Sequence, residues 1–186
     1  MRSFIALEVP ADAKAAARAY QDEWRKSWPH GAVSWTRESG FHLTLRFLGE
    51  IHDREAEEIG DRLPGLAALQ PVPVAFAGPL CFPNGRRPGI LALDVAGPAE
   101  LDDLAGHVDR ALKGMALERR DKPFRAHLTL GRVRDRQASV PAAPAWALDI
   151  GWLADQVTLF KSTLSPQGSV YDALASVTLG QASRGI

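Results

Sequence analysis

Apolar and polar positions alternate in several short runs along this chain, and between those runs the period lengthens to that of a helix. Residues 3–9, Ser-Phe-Ile-Ala-Leu-Glu-Val, are β-prone and end at Pro10. Over 12–28, Ala13, Ala16, Ala17, Tyr20, Trp24 and Trp28 recur at helical spacing, and Trp28-Pro29-His30-Gly31 stops the run. A short strand fits 33–35. Residues 41–48 alternate strictly up to Gly49 and predict the clearest strand in the chain. A helix is predicted over 53–69, broken or kinked at Pro64-Gly65. Strands over 72–82 and 90–95 flank a turn-rich stretch at 83–89. Pro98 opens a second amphipathic helix with Leu101, Leu104, Val108, Ala111 and Leu112 on one side. Its acidic residues come early and its basic ones late, matching the helix dipole, and Gly114 is a natural stop. A strand over 126–130, a Pro/Ala-rich loop over 138–145 and two closing strands over 156–164 and 171–179 complete the pattern.

Few adjacent strands are separated by a regular helical crossover, which favours α+β with antiparallel sheets over a parallel α/β sheet. No linker divides the chain, so 1–186 reads as one domain, long enough to bury roughly 70% of the surface its unfolded form exposes. With 46% apolar and 24% charged residues the composition is not that of a disordered or collagen-like chain. No apolar run approaches the ~20 residues of a membrane span, so no membrane partner is expected. Met1-Arg2-Ser3 leads straight into the first strand, without a signal-peptide stretch. The single cysteine, Cys81, can form neither an internal disulfide nor a multi-thiolate metal site. These features predict a cytoplasmic protein, and a monomer is expected. Twenty-two basic residues against 22 acidic ones argue against non-specific binding to long nucleic acid. Locally, Arg119, Arg120, Lys122, Arg125, Arg132, Arg134 and Arg136 face only Asp121 and Asp135, an excess that suits a small anionic ligand or a solvated basic face.

One short pattern recurs: Phe41-His42-Leu43-Thr44-Leu45 and Ala126-His127-Leu128-Thr129-Leu130. The two copies stand about half a chain apart. Side chains alternate along a strand, so each copy presents an imidazole and a hydroxyl on one face and keeps its leucines for the core. A duplicated unit with approximate two-fold symmetry would bring both strands to one groove. Imidazole titrates near neutrality, so a pair can hold one neutral and one protonated member. The neutral ring takes a proton from water or a hydroxyl and the charged ring gives one to a leaving oxygen. Threonine hydroxyls can hold the non-bridging oxygens of a phosphate between them. The set suits cleavage of a phosphodiester, above all a strained 2′,3′-cyclic phosphate, with no metal and no cofactor.

Those motifs, with Leu45-Arg46-Phe47-Leu48-Gly49-Glu50 after the first and Pro123-Phe124-Arg125 before the second, resemble the two-histidine phosphoesterase superfamily, in particular its RNA 2′,3′-cyclic 3′-phosphodiesterase branch, also called 2′-5′ RNA ligase. Phe4-Ile5-Ala6-Leu7, the segment from Arg87 to Leu93 and Leu159-Phe160-Lys161-Ser162 are similar to that branch as well. The resemblance implies a bilobal α+β fold of two antiparallel sheets flanked by helices, with the active-site groove between them. It implies hydrolysis of RNA ends carrying a 2′,3′-cyclic phosphate to 2′-phosphate ends, and 2′-5′ ligation as the same chemistry with a 5′-hydroxyl in place of water. Carried over, His42 is the proton donor and His127 the proton acceptor. Thr44, Thr129 and Arg132 bind the phosphate. Strand parity sets Arg132 with the core leucines unless a bulge at Gly131 re-aims it, and sets Arg46 and Arg125 with the histidines, so those two are further candidates. The segment from Leu164 to Tyr171 departs from the branch's usual hairpin, which leaves Ser162 without an assigned role. The alternative is a non-catalytic nucleotide- or RNA-binding module with the same groove.

Other signals point to structure rather than chemistry. His52-Asp53 lacks the further ligands of a metal site and reads as a helix cap. Trp35 reads as core rather than a base-stacking platform, and Cys81 as a small apolar residue. His30 and His107 read as exposed or structural. No phosphate-binding glycine loop, nucleophile elbow or zinc-protease motif is present.

Overall fold

A computed structural model describes residues 1–83, 88–118, 123–135, 139–165 and 168–181. The predicted turn over 83–89, the tip of the closing hairpin and the basic residues Arg119, Arg120, Lys122 and Arg136 lie partly or wholly outside them.

Alternation and helical periodicity give the elements in the predicted order: β1 (Arg2–Glu8), α1 (Ala11–Lys26), β2 (Val33–Trp35), β3 (His42–Glu50), α2 (Asp53–Arg62), β4 (Val72–Phe82), β5 (Ile90–Ala96), α3 (Pro98–Ala111), β6 (His127–Val133), β7 (Gly151–Ala154), β8 (Gln156–Ser165) and β9 (Gly168–Thr178). His52 is the N-cap of α2, and its backbone N–H donates to the Glu55 carboxylate at 2.8 Å, the capping role expected of it. Pro64 ends α2 as predicted, in a 3-10 turn at Leu63–Leu66. Helix α3 stops short of Gly114. Arg62 donates to the carbonyls of Ala111 and Lys113 there, satisfying acceptors that the helix end leaves open. Strand β7 was not predicted.

The strands run β7-β4-β5-β6-β3-β1-β8-β9, with β2 on the free part of β6. All pairings are antiparallel. The nine-stranded sheet therefore consists of two halves, four strands in one and, with β2, five in the other, each reaching the seam with a His-Leu-Thr-Leu strand. The halves meet at a single residue pair, Leu43 opposite Leu128. These are equivalent residues of the two motifs, which is what a two-fold axis through the seam requires. The flanking strands obey the same symmetry: Leu7 pairs with Leu43, and Leu93 with Leu128. One row, Leu7-Leu43-Leu128-Leu93, thus crosses four strands, and each of its side chains is at most 1% exposed. The apolar faces of α1 and α3, with Ala13, Ala17, Tyr20 and Trp24 on one and Leu101, Leu104 and Val108 on the other, join the same core cluster. Trp35 packs against it too, with the Arg25 guanidinium 5.3 Å over its ring.

Candidate active site

The register of the seam fixes the site. Carried one residue to either side of the Leu43–Leu128 pair, the antiparallel register sets His42 across from Thr129 and Thr44 across from His127, on the face away from the leucines. The four side chains occupy the corners of a parallelogram, with imidazoles on one diagonal and hydroxyls on the other. Diagonal neighbours across an antiparallel pair have their side-chain origins about 7–8 Å apart, a span that accommodates a phosphate between two rings. The structure thus brings together the four residues that the repeat singled out.

Both rings are oriented alike. His42 Nδ1 lies 2.8 Å from the Gly40 carbonyl, and His127 Nδ1 lies 2.8 Å from the Arg125 carbonyl, two residues back in each motif. A carbonyl only accepts, so each Nδ1–H donates and each Nε2 is left for the groove. His42 Nε2 meets Thr44 Oγ1 at 3.1 Å.

Around this symmetric centre the two sides differ. His42 is held in an aromatic cage: Phe4 stacks on it at 4.6 Å, and Tyr171 meets it edge-on at 5.1 Å, with Phe160 beyond. Burial there, together with the charges of His127 and Lys14 and against the Gly40 hydrogen bond, lowers its pKa to about 4. His127 is lowered as well, by burial first and then by Arg125 and Arg132. Its hydrogen bond to the Arg125 carbonyl and the charge of Asp94 oppose the shift. Its ring neighbour is Phe82 at 4.9 Å.

Two β-bulges decide where the arginines go. On β3 the register skips Leu45, since Thr44 pairs with Ala6 and Arg46 with Ile5. On β6 it skips Leu130, the equivalent residue, since Thr129 pairs with Ala92 and Gly131 with Leu91. Each extra residue inverts the facing of the residues after it. Arg46, which parity placed beside His42, therefore turns to the helix side, where it meets Asp109 at 3.5 Å and the Glu118 carbonyl. The parity expectation fails at this residue. Arg132 moves the other way. It pairs with Ile90, on the face of Ala92 and Asp94, and its charge is felt by His127. The bulge sits at Leu130 rather than Gly131. A Cβ on Gly131 would come within 2.7 Å of Val33, so glycine there serves the close approach of β2. The Leu130 carbonyl at the bulge accepts from the Thr36 backbone N–H at 2.9 Å and from buried Gln21 of α1 at 2.7 Å, which together fix it. Arg125 shares the histidine face, as parity predicts, but its guanidinium is engaged by Asp94 at 2.9 Å.

Several residues around the groove escaped the sequence reading. Phe47, 55% exposed, is the symmetry partner of Arg132 and pairs with Phe4 on the groove face. Phe4, Phe160, Tyr171 and Phe82 line the histidines. Glu8 and Asp94 stand opposite His42 and His127 in register. A second internal repeat, Ile5-Ala6-Leu7-Glu8-Val9 and Leu91-Ala92-Leu93-Asp94-Val95, was the available signal for these carboxylates. Among the described residues no three His, Cys, Asp or Glu side chains gather as a metal site, and no helix is long and apolar enough to cross a membrane.

The duplication is echoed in the comparison with known families: the model of the LigT like Phosphoesterase family matches the chain over residues 7–92 and again over 93–171. The chain belongs to the LigT-like phosphoesterases. Among its LigT-like relatives is a protein of Archaeoglobus fulgidus named RNA 2′,3′-cyclic phosphodiesterase. It is 30% identical over 94% of this chain and 98% of its own length. A protein of Thermus thermophilus with the same name is also 30% identical, over 96% of this chain and 90% of its own. The crystal structure of TT0787 of Thermus thermophilus superposes with a TM-score of 0.80, at 30% identity, covering 96% and 98% of the two chains. The LigT-like fold extends to E. coli LigT complexed with 3′-AMP, at a TM-score of 0.76 and 21% identity over 97% and 98%.

Proposed function

We propose that this protein is an RNA 2′,3′-cyclic 3′-phosphodiesterase that hydrolyses cyclic phosphate ends to 2′-phosphate ends without a metal, with His42 as proton donor and His127 as proton acceptor. The observation that carries the reading is the parallelogram at the seam. In-line displacement at phosphorus puts the attacking and leaving oxygens on opposite sides, and the imidazole diagonal supplies one Nε2 to each. His127 takes the proton of water, the water oxygen bonds to phosphorus, and the bond to the 3′ oxygen breaks as His42 protonates it. Thr44 and Thr129, on the other diagonal, hold the non-bridging oxygens, with Arg132 adding charge-assisted hydrogen bonds. A 5′-hydroxyl in the place of water gives a 2′-5′ bond by the same transfers. Names carried by relatives at 30% identity support the RNA substrate.

The 3′ oxygen, and with it the nucleoside that stays attached through its 2′ oxygen, belongs on the His42 side, where the exposed ring of Phe47 offers a stacking face. Since the groove is complete within one chain, the reading is of one domain, 1–186, acting as a monomer on RNA ends in the cytoplasm.

The test is a nucleoside 2′,3′-cyclic phosphate incubated with the protein and EDTA. Turnover to the 2′-phosphate is expected. Binding without turnover would reduce the protein to a nucleotide-binding module, and activity lost with EDTA would point to a metal. Arg132→Gln should lower kcat/KM about 10-fold, the scale of one charged hydrogen bond to an anion, in the same assay.

The lowered imidazole pKa values set the pH dependence. In the empty groove His42 is neutral at pH 7, and an anionic phosphate seated between the rings brings its proton back. The free protein is reactive when one imidazole is protonated and the other is not, so kcat/KM should peak between about pH 4 and 6.5 and fall towards neutrality. A pH–rate profile peaking above 7.5 would contradict the assignment.

A further inference from the structure

The two carboxylates opposite the histidines have no part in those proton transfers, and they are held differently. Glu8 accepts a hydrogen bond from the buried Thr158 hydroxyl at 2.7 Å. Asp94 accepts from Arg125 at 2.9 Å. The Arg125 guanidinium lies over the Phe82 ring at 5.4 Å, and that ring lies 4.9 Å from the His127 imidazole. Arg125 also supplies the carbonyl that receives the His127 Nδ1–H. One residue thus orients the base through its main chain while its side chain carries a positive charge beside it.

We infer that Asp94 is a positioning residue for His127: it anchors the Arg125 guanidinium over Phe82, the ring that flanks the imidazole, and so holds the cation away from the phosphate seat. The inference rests on the acid–base reading of this site. The charged groups that act on His127 are Arg125 just before its strand, Arg132 on that strand and Asp94 on β5, with His42 across the seam on β3. Asp94 is the one anion among them. Without it the arginines are unopposed, and an imidazolium at residue 127 is disfavoured. The Asp94–Arg125 pair is half-exposed, so its loss costs little stability and the variants should fold.

Asp94→Asn should move the alkaline limb of the kcat/KM profile to lower pH and reduce kcat/KM at pH 7.5 about 3- to 10-fold, with a smaller loss at the optimum. Asp94→Glu should restore much of the limb. In the Asp94→Asn/Arg125→Met double variant, loss of the unopposed cation should bring the limb back towards its original position. Glu8→Gln should leave that limb in place. NMR titration of the His127 ring in the wild type and Asp94→Asn reads the same effect without turnover and should show a lower midpoint in the variant. An unchanged midpoint, or a loss of rate equal at every pH, would overturn the positioning role. Absence of turnover in the wild type, with the midpoint still shifted, would instead defeat the hydrolase reading and leave the role of Asp94 standing.

Discussion

His42→Ala and His127→Ala should each lower the rate on a 2′,3′-cyclic phosphate by at least about 10²-fold, the lower scale of positioned acid–base catalysis. Single-turnover assays with excess protein would measure this without interference from product release. The double variant should lose much less than the product of the single losses, because the transfers are coupled: once no proton can be taken, a ready donor has little left to assist. Circular dichroism should report a folded protein in each case, since neither ring contributes to the leucine row that joins the halves. A single variant with wild-type rate would remove that histidine from the chemistry. Full multiplicativity would mean that the rings contribute independently to the barrier and are not coupled.

Acid should destabilise the fold well above the range in which carboxylates titrate. His42 in the folded chain binds its proton only near pH 4, while in the unfolded chain it does so near 6.5. Between these values the unfolded state holds more protons, so stability is full above pH 6.5 and falls as the pH drops to about 4. The difference amounts to about 3 kcal/mol, and His127 adds to it in the same direction. Urea unfolding at pH 7 and pH 4.5 would measure the loss. His42→Phe, which suits the cage of Phe4, Phe160 and Tyr171, should remove most of it. Equal acid sensitivity in that variant would place the effect elsewhere.

Much of this was legible in the residues. Strict alternation over 41–48 and 126–130 located the central strands, and the recurrence of His-Leu-Thr-Leu located the candidate site, because strand parity is a local property. What failed was parity carried past Leu45 and Leu130. A bulge adds one residue to one strand only, and its place is set by partners distant in sequence, among them Gln21 and the close packing of β2 on Gly131. Arg46 and Arg132 exchanged their expected faces for that reason. Strand β7 was missed because Gly151-Trp152-Leu153-Ala154 is short and takes its conformation from the edge of β4. The cage around His42 was invisible because Tyr171 reaches it from the last strand. The carboxylate pair was readable in the repeated Ala-Leu-acid-Val of β1 and β5, a repeat masked by the unequal lengths around it.

The seam has a chemical corollary. A centre built from like corners on each diagonal offers both ester oxygens of a cyclic phosphate the same kinds of group, so the corners alone do not choose which of them departs. Regiochemistry must be imposed from the rim, where Phe47 and Arg132 occupy mirrored stations with unlike character. On this design the isomer of the product, 2′ or 3′, is a property of how the nucleoside is docked rather than of the atoms that move protons.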